Sequence, residues 1–309
     1  MITAETKISI SFKNILLATD FSQVSDHALA YAAIIARLQN GNLLLAHALA
    51  PEARTAVPLD SLLASLDRDL QEARVHMWQL MREKSLEHIA HEYVIERGPT
   101  SEVILDLIAR NNIDLLVLGT HGRGGLKKLL LGSVAEELFR LATCPVLTVG
   151  PRAFGPCTAE PGIRRILFAT DFSPASLSAL PYAIAIARAS TAQLVLLHTL
   201  SVAPLAEEAS AWPLAPDVIE WVEKTRLSTL GQLRKLIPPN ENLPHNPEFL
   251  VTLGFVPEEI VKAAGEANAD LIVMGVNASS TARAAAHLYW STAHHVVCEA
   301  KCPVLTIRG

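Results

Sequence analysis

The chain repeats itself, and this constrains its fold more than any other property. Aligned without gaps, Asn14–Leu49 and Arg165–Leu200 agree at 19 of 36 positions. Both copies open with an Ala-Thr-Asp-Phe-Ser run, Ala18–Ser22 and Ala169–Ser173, and both reach a Leu-x-Leu-x-His segment ending at His47 and His198. Further on, Asp114–Gly119 matches Asp270–Gly275, and Cys144–Val149 matches Cys302–Ile307. Repeats of about 150 residues are far longer than solenoid units, which run to roughly 50. They read as two domains of one fold, 1–150 and 151–309, joined near 150–162, where Gly, Pro and Cys157 interrupt the apolar pattern. The length of 309 residues fits two domains. Each half can bury a core without disulfides or metal.

Within the first half, apolar β-rich runs alternate with helical patterns. Strands are expected near 13–19, 42–48, 91–96, 114–119 and 145–149, with helices near 23–39, 60–88, 100–111 and 132–142. The long second helix carries Leu62, Leu66, Leu70, Ala73, Met77 and Leu80 at steps of three and four. Strand-helix alternation with strands apolar on both faces predicts an α/β fold: two tandem Rossmann-like, doubly wound domains around parallel sheets. Ligands of such sheets bind beyond the carboxyl ends of the strands, where the strand order switches. The segments after the first strand (Thr19–Phe21) and after the fourth (Gly119 onward) should flank that place.

The fourth strand leads into a glycine-rich stretch, Gly119–Ser133, followed by a helical pattern with Val134, Leu138 and Leu141 on one face. Glycines let backbone approach a ligand closely, and amides at a helix N-terminus can donate to phosphate. A Walker loop starting at Gly119 would need Lys where Gly125 stands. A dinucleotide fingerprint starting at Gly122 would need Gly where Lys127 stands. The spacing is instead G-x2-G-x9-G-[ST], met by Gly119, Gly122, Gly132 and Ser133. In this spacing, twice over in its general pattern, the chain resembles the universal stress protein family. The resemblance implies five parallel strands per copy and ATP, with or without Mg2+, as ligand. It places the base and sugar against Ala18, Asp20 and Ala48, and the phosphates against Gly119, Gly122, Arg123, Gly132, Ser133 and Val134. It also implies that each copy's final strand, Pro145–Val149 and Pro303–Ile307, lies at a sheet edge. The two edges are then expected to meet within the chain as an intramolecular pseudo-dimer, with a homodimer of whole chains also open.

The second copy departs from the phosphate pattern. Gly275 remains, but Ala278 stands for Gly122, and with Ser291 aligned to Ser133, Trp290 stands for Gly132. An indole where a backbone amide should approach phosphate argues for a nucleotide-free second domain. Asp171 then reads as a helix-start residue, whereas Asp20, beside the intact loop, reads as a ligand contact. His47 and His198 occur in both copies, so a structural role fits them better than catalysis. His294 and Cys298 are four apart on a predicted helix, a spacing open to metal, but Cys302 repeats Cys144, which has no such neighbours; a structural reading is favoured.

Composition bounds the partners. A net charge of -5 without a long basic run argues against an extended nucleic-acid surface. No run of 18 apolar residues occurs, the first residues lack a signal-peptide core, and four cysteines make no disulfide framework. The cytoplasm is the expected location. No Ser/His/Asp or Cys/His set sits at a telling spacing. The leading reading is therefore an ATP-binding regulatory module of the stress response, with a slow ATPase and a partner-binding scaffold, one with a non-nucleotide ligand in its second domain, as alternatives.

Overall fold

A computed structural model describes residues 10–50, 59–120, 131–153, 162–201, 216–277 and 292–309. In the first half the elements run β1 (Asn14–Ala18), α1 (Gln23–Gln39), β2 (Asn42–Leu49), α2 (Leu59–Leu80), β3 (His91–Arg97), α3 (Thr100–Arg110), β4 (Leu115–Gly119), α4 (Ser133–Leu141) and β5 (Val146–Val149). The second half follows with β6 (Arg165–Ala169), α5 (Pro174–Ser178), α6 (Leu180–Ser190), β7 (Gln193–Ser201), α7 (Pro216–Lys235), β8 (Glu248–Gly254), α8 (Val256–Glu266) and β9 (Leu271–Val276). A helix over 292–299, α9, and the strand β10 (Val304–Arg308) complete it.

The ten strands of the described residues form one sheet in the order β3-β2-β1-β4-β5-β10-β9-β6-β7-β8. Pairing is parallel within each half, and Ala18 lies opposite Ala46 just as Ala169 lies opposite Leu197. At the centre β5 and β10 pair antiparallel, with Thr148 opposite Val304 and Val146 opposite Thr306. The hydroxyls of Thr148 and Thr306, both buried, donate across this joint to the carbonyls of Val304 and Val146. The order reads alike from either end, each strand facing its repeat partner's place.

Side chains alternate between the two faces, and each face is covered by helices, so the central strands are mostly apolar, with the hydroxyls of Thr148 and Thr306 satisfied across the joint. Ile15 and Leu17 enter one core with α1, while Leu16 enters the other with α3 and α4. Both cores draw on both halves of the chain: Phe12 stacks on Tyr182 in the first, and Leu138 shares the second with Val296.

Two helices differ from the sequence pattern. The helix expected over 60–88 ends at Leu80, and a single 3₁₀ turn follows at Lys84–Leu86. Leu86 and Ile89 must enter the core there, which a continued helix would carry past it. Arg37 donates to the Ser85 carbonyl and so ties the turn to α1. The counterpart of α1 is broken into α5 and α6 beside Pro181, which has no amide to continue the ladder. Of the expected α2 stripe, Ala73 and Met77 are buried and Leu66, Leu70 and Leu80 half-buried.

Candidate functional site

The Ala-Thr-Asp-Phe-Ser run builds the same tight turn in both halves. Phe21 and Phe172 have φ of 61° and 64°, the left-handed region that a bulky residue enters only when held there. Three contacts hold it. The Thr19 hydroxyl accepts from the Phe21 amide at 3.0 Å, and Asp20 Oδ1 accepts from the Ser22 amide at 3.1 Å. Ser22 Oγ in turn accepts from the Ser25 amide as the cap of α1. The second copy repeats all three at 2.9, 2.9 and 3.1 Å. His47 Nδ1 donates to the Thr19 carbonyl at 2.7 Å, His198 to Thr170 at 2.8 Å, and each ring lies against the adjacent phenylalanine. These histidines are structural. The helix caps are Ser22 and Ser173, while Asp20 and Asp171 orient those serines.

Burial raises the pKa of the Asp20 carboxyl, but hydrogen bonds from Ser25 and Ser22 outweigh it and leave the group below its ordinary value. Asp171 is held low in the same way by Ser173 and Ser176. Both are carboxylates at neutral pH.

A cleft of about 280 Å³ opens beyond the carboxyl ends of β1 and β4. It is lined by Ala18, Asp20, Ala48, Gly119, Gly132, Ser133 and Val134, seven of the nine positions expected from sequence. Gly122 and Arg123 lie outside the described residues. So do Ala278, Trp290 and Ser291 of the second copy. Sequence reading missed Ala46, Thr100, Ile104, Leu118 and Thr120, which also line the cleft. Ala46 was legible, because side chains two apart on a strand share a face and Ala48 had been named.

At one end of the cleft α4 begins. Its N-cap is Gly132, and no side chain caps it. The first amides of an uncapped helix lack intrahelical partners and can serve an anion. Space at Gly132 is tight: a methyl there would sit 3.1 Å from the Thr120 carbonyl, to which the Gly132 amide donates at 2.8 Å. Gly119 lines the cleft, yet a methyl on it would press on Val24 and Ser25 of α1. At Gly275 the same addition would meet the Ala175 carbonyl at 1.9 Å. The first glycine of the pattern therefore seats a helix on the sheet, which is why the second copy keeps it.

A model of the universal stress protein family matches residues 11–150 and again 162–308. The chain belongs to this family. Nearly the whole length of each of two curated relatives matches less than half of this chain. "Universal stress protein A homolog 1" of Coxiella burnetii is 33% identical over 151 residues, 45% of this chain and 96% of the relative. "Universal stress protein MJ0577" of Methanocaldococcus jannaschii is 27% identical over 157 residues, 46% and 97% respectively. A universal stress protein structure from Archaeoglobus fulgidus matches both halves together, covering 96% of this chain and 97% of its own at a TM-score of 0.64 and 20% identity. That likeness bears on the fold.

Within this family member the two halves differ on the cleft's alanine side. Leu197 takes the register place of Ala46, Thr199 that of Ala48, and Met274 that of Leu118. Leu197 is 1% exposed and Thr199 bonds to Thr252 on β8 at 3.0 Å. Cys144 and Cys302 are buried beneath the sheet ends, and burial pushes their thiols up to about 11 and about 12. Among the described residues no helix is long and apolar enough to cross a membrane.

Proposed function

We propose that the N-terminal unit, 1–150, binds ATP, with Mg2+ on its phosphates, and that the chain uses the nucleotide as a regulatory ligand in the cytoplasmic stress response. The observation that carries this is one cleft with two chemically distinct ends. Ala18, Ala46 and Ala48 offer a flat apolar wall for a base, and Asp20 offers a carboxylate for ribose hydroxyls. The uncapped start of α4, with Gly132 and Ser133, offers amides and a hydroxyl for phosphate. The volume falls near the lower end of small-molecule pockets, about 300 Å³.

Regulation is favoured over turnover by the acid–base chemistry present. Among the described lining residues Asp20 is the titratable side chain, and its lowered pKa and place in the turn make it a weak general base. The second unit, 151–309, serves as the paired half of an intramolecular pseudo-dimer. Its cleft, narrowed by Leu197, Thr199 and Met274, takes no nucleotide.

Titration calorimetry with ATP tests the proposal. One site per chain is expected, lost in Gly132→Val because a branched side chain blocks approach to the α4 amides. Two equal sites, or full binding by Gly132→Val, would overturn it.

A further inference from the structure

The Gly132–Ser133 end of the cleft rests on the joint between the domains. On one side the Thr120 amide donates to the Val149 carbonyl at 3.0 Å, at the end of the joining strand β5. On the other, Leu131 is buried in the core that also holds Val296, Val297 and Cys298 of α9. Burial pushes the Cys298 thiol up, and the Leu131 backbone, near enough to the sulfur to favour the thiolate, partly offsets this. The Gly132 amide then closes onto the Thr120 carbonyl, tying the two sides together. The joint itself is close-packed. A methyl on Gly150 would lie 2.4 Å from the Val297 carbonyl, so β5 and α9 touch backbone to backbone. Arg152 and Glu299 pair at its rim.

We infer that α9, an element of the second domain, positions the Gly132–Ser133 end of the first domain's cleft, so that phosphate occupancy and the packing of the joint are coupled. This rests on the nucleotide reading above and gives it a route outward. The geometry works in both directions: a helix that holds Leu131 in place sets the direction of the α4 amides, and a phosphate bound by those amides resists any shift of Leu131 away from α9. Coupling between two equilibria is reciprocal by thermodynamic necessity. Close-packed contacts of this kind shift as units instead of deforming gradually. The second domain, in this arrangement, is a sensor of its neighbour's ligand without a ligand of its own.

The full-length chain tests this by amide hydrogen exchange over 292–299, measured alone, with ATP and with adenosine. ATP is expected to slow exchange in α9, and adenosine, which has no phosphate, to leave it unchanged. Gly150→Ala, which forces α9 away from β5, and Cys298→Ala, which removes the sulfur beside Leu131, are expected to weaken ATP binding about tenfold. Adenosine binding should be unaffected in both, a separation that general loss of structure would not produce. Should Gly150→Ala fail to fold, Cys298→Ala and the exchange of the unaltered chain decide the matter. ATP binding with no response in α9 and no loss in the variants overturns the coupling alone. Failure of the unaltered chain to bind ATP overturns the nucleotide reading and the coupling with it.

Discussion

Asp20 and Asp171 sit in the same turn, with the same serine partners, in two different settings. One lines an alanine-walled cleft; near the other, Leu197, Thr199 and Met274 take the register places of Ala46, Ala48 and Leu118. Their shared work is local: each carboxylate holds the serine that caps the next helix. The folded-state pKa of each lies below the ordinary 3.8, so each stabilises the fold fully above that value and loses this contribution as pH falls through the folded-state value. Asp20→Asn and Asp171→Asn should each cost about 0.5 kcal/mol at pH 7, the low end for a hydrogen bond, since solvent screens half-exposed carboxylates. Urea denaturation near pH 3 should show the cost shrinking. Only Asp20→Asn should also weaken ATP. Equal effects on binding from both variants would show that the contact acts through the turn alone. Asp20's place in the lining of the cleft agrees with its place beside the glycine loop in the sequence, but its turn-holding role was visible only as a repeated motif.

At the scale of elements, β2 and β7 carry the contrast between the two clefts. They share a register, a histidine and a place beside β1 or β6, yet Ala46 and Ala48 become Leu197 and Thr199. Moving the second copy's residues into the first, Ala46→Leu with Ala48→Thr, should fill the cleft and abolish binding of both ATP and adenosine. Circular dichroism should show an intact fold. Retained adenosine affinity would mean the base lies elsewhere. Strands were readable to within a residue or two because β-rich runs bounded by polar turns leave little freedom. The ends of α1, α3 and α4 were as readable, but that of α2 was not: its stop at Leu80 depends on where Leu86 and Ile89 find the core, a tertiary demand with no local signal. The break between α5 and α6 was readable in principle from Pro181. Which face of β2 opens on the cleft followed from Ala48, since strand alternation puts Ala46 beside it.

Across the whole molecule, two cores each recruit both halves of the chain, and the sheet passes through the joint without a gap. The halves should therefore melt together. Calorimetry is expected to record one transition, with calorimetric and van't Hoff enthalpies in agreement. Two separated transitions would mean that the β5–β10 joint adds little to cooperativity.

That joint has a consequence for how the two halves could come to differ. Edges on separate chains must find each other, exchange and dilute; edges on one chain meet at an effective concentration in the millimolar range whatever the protein's abundance. A tethered half is never shuffled among identical partners. A change such as Leu197 or Thr199 is thus always presented beside the same unaltered neighbour, and one copy can drift toward support while the other keeps its pocket.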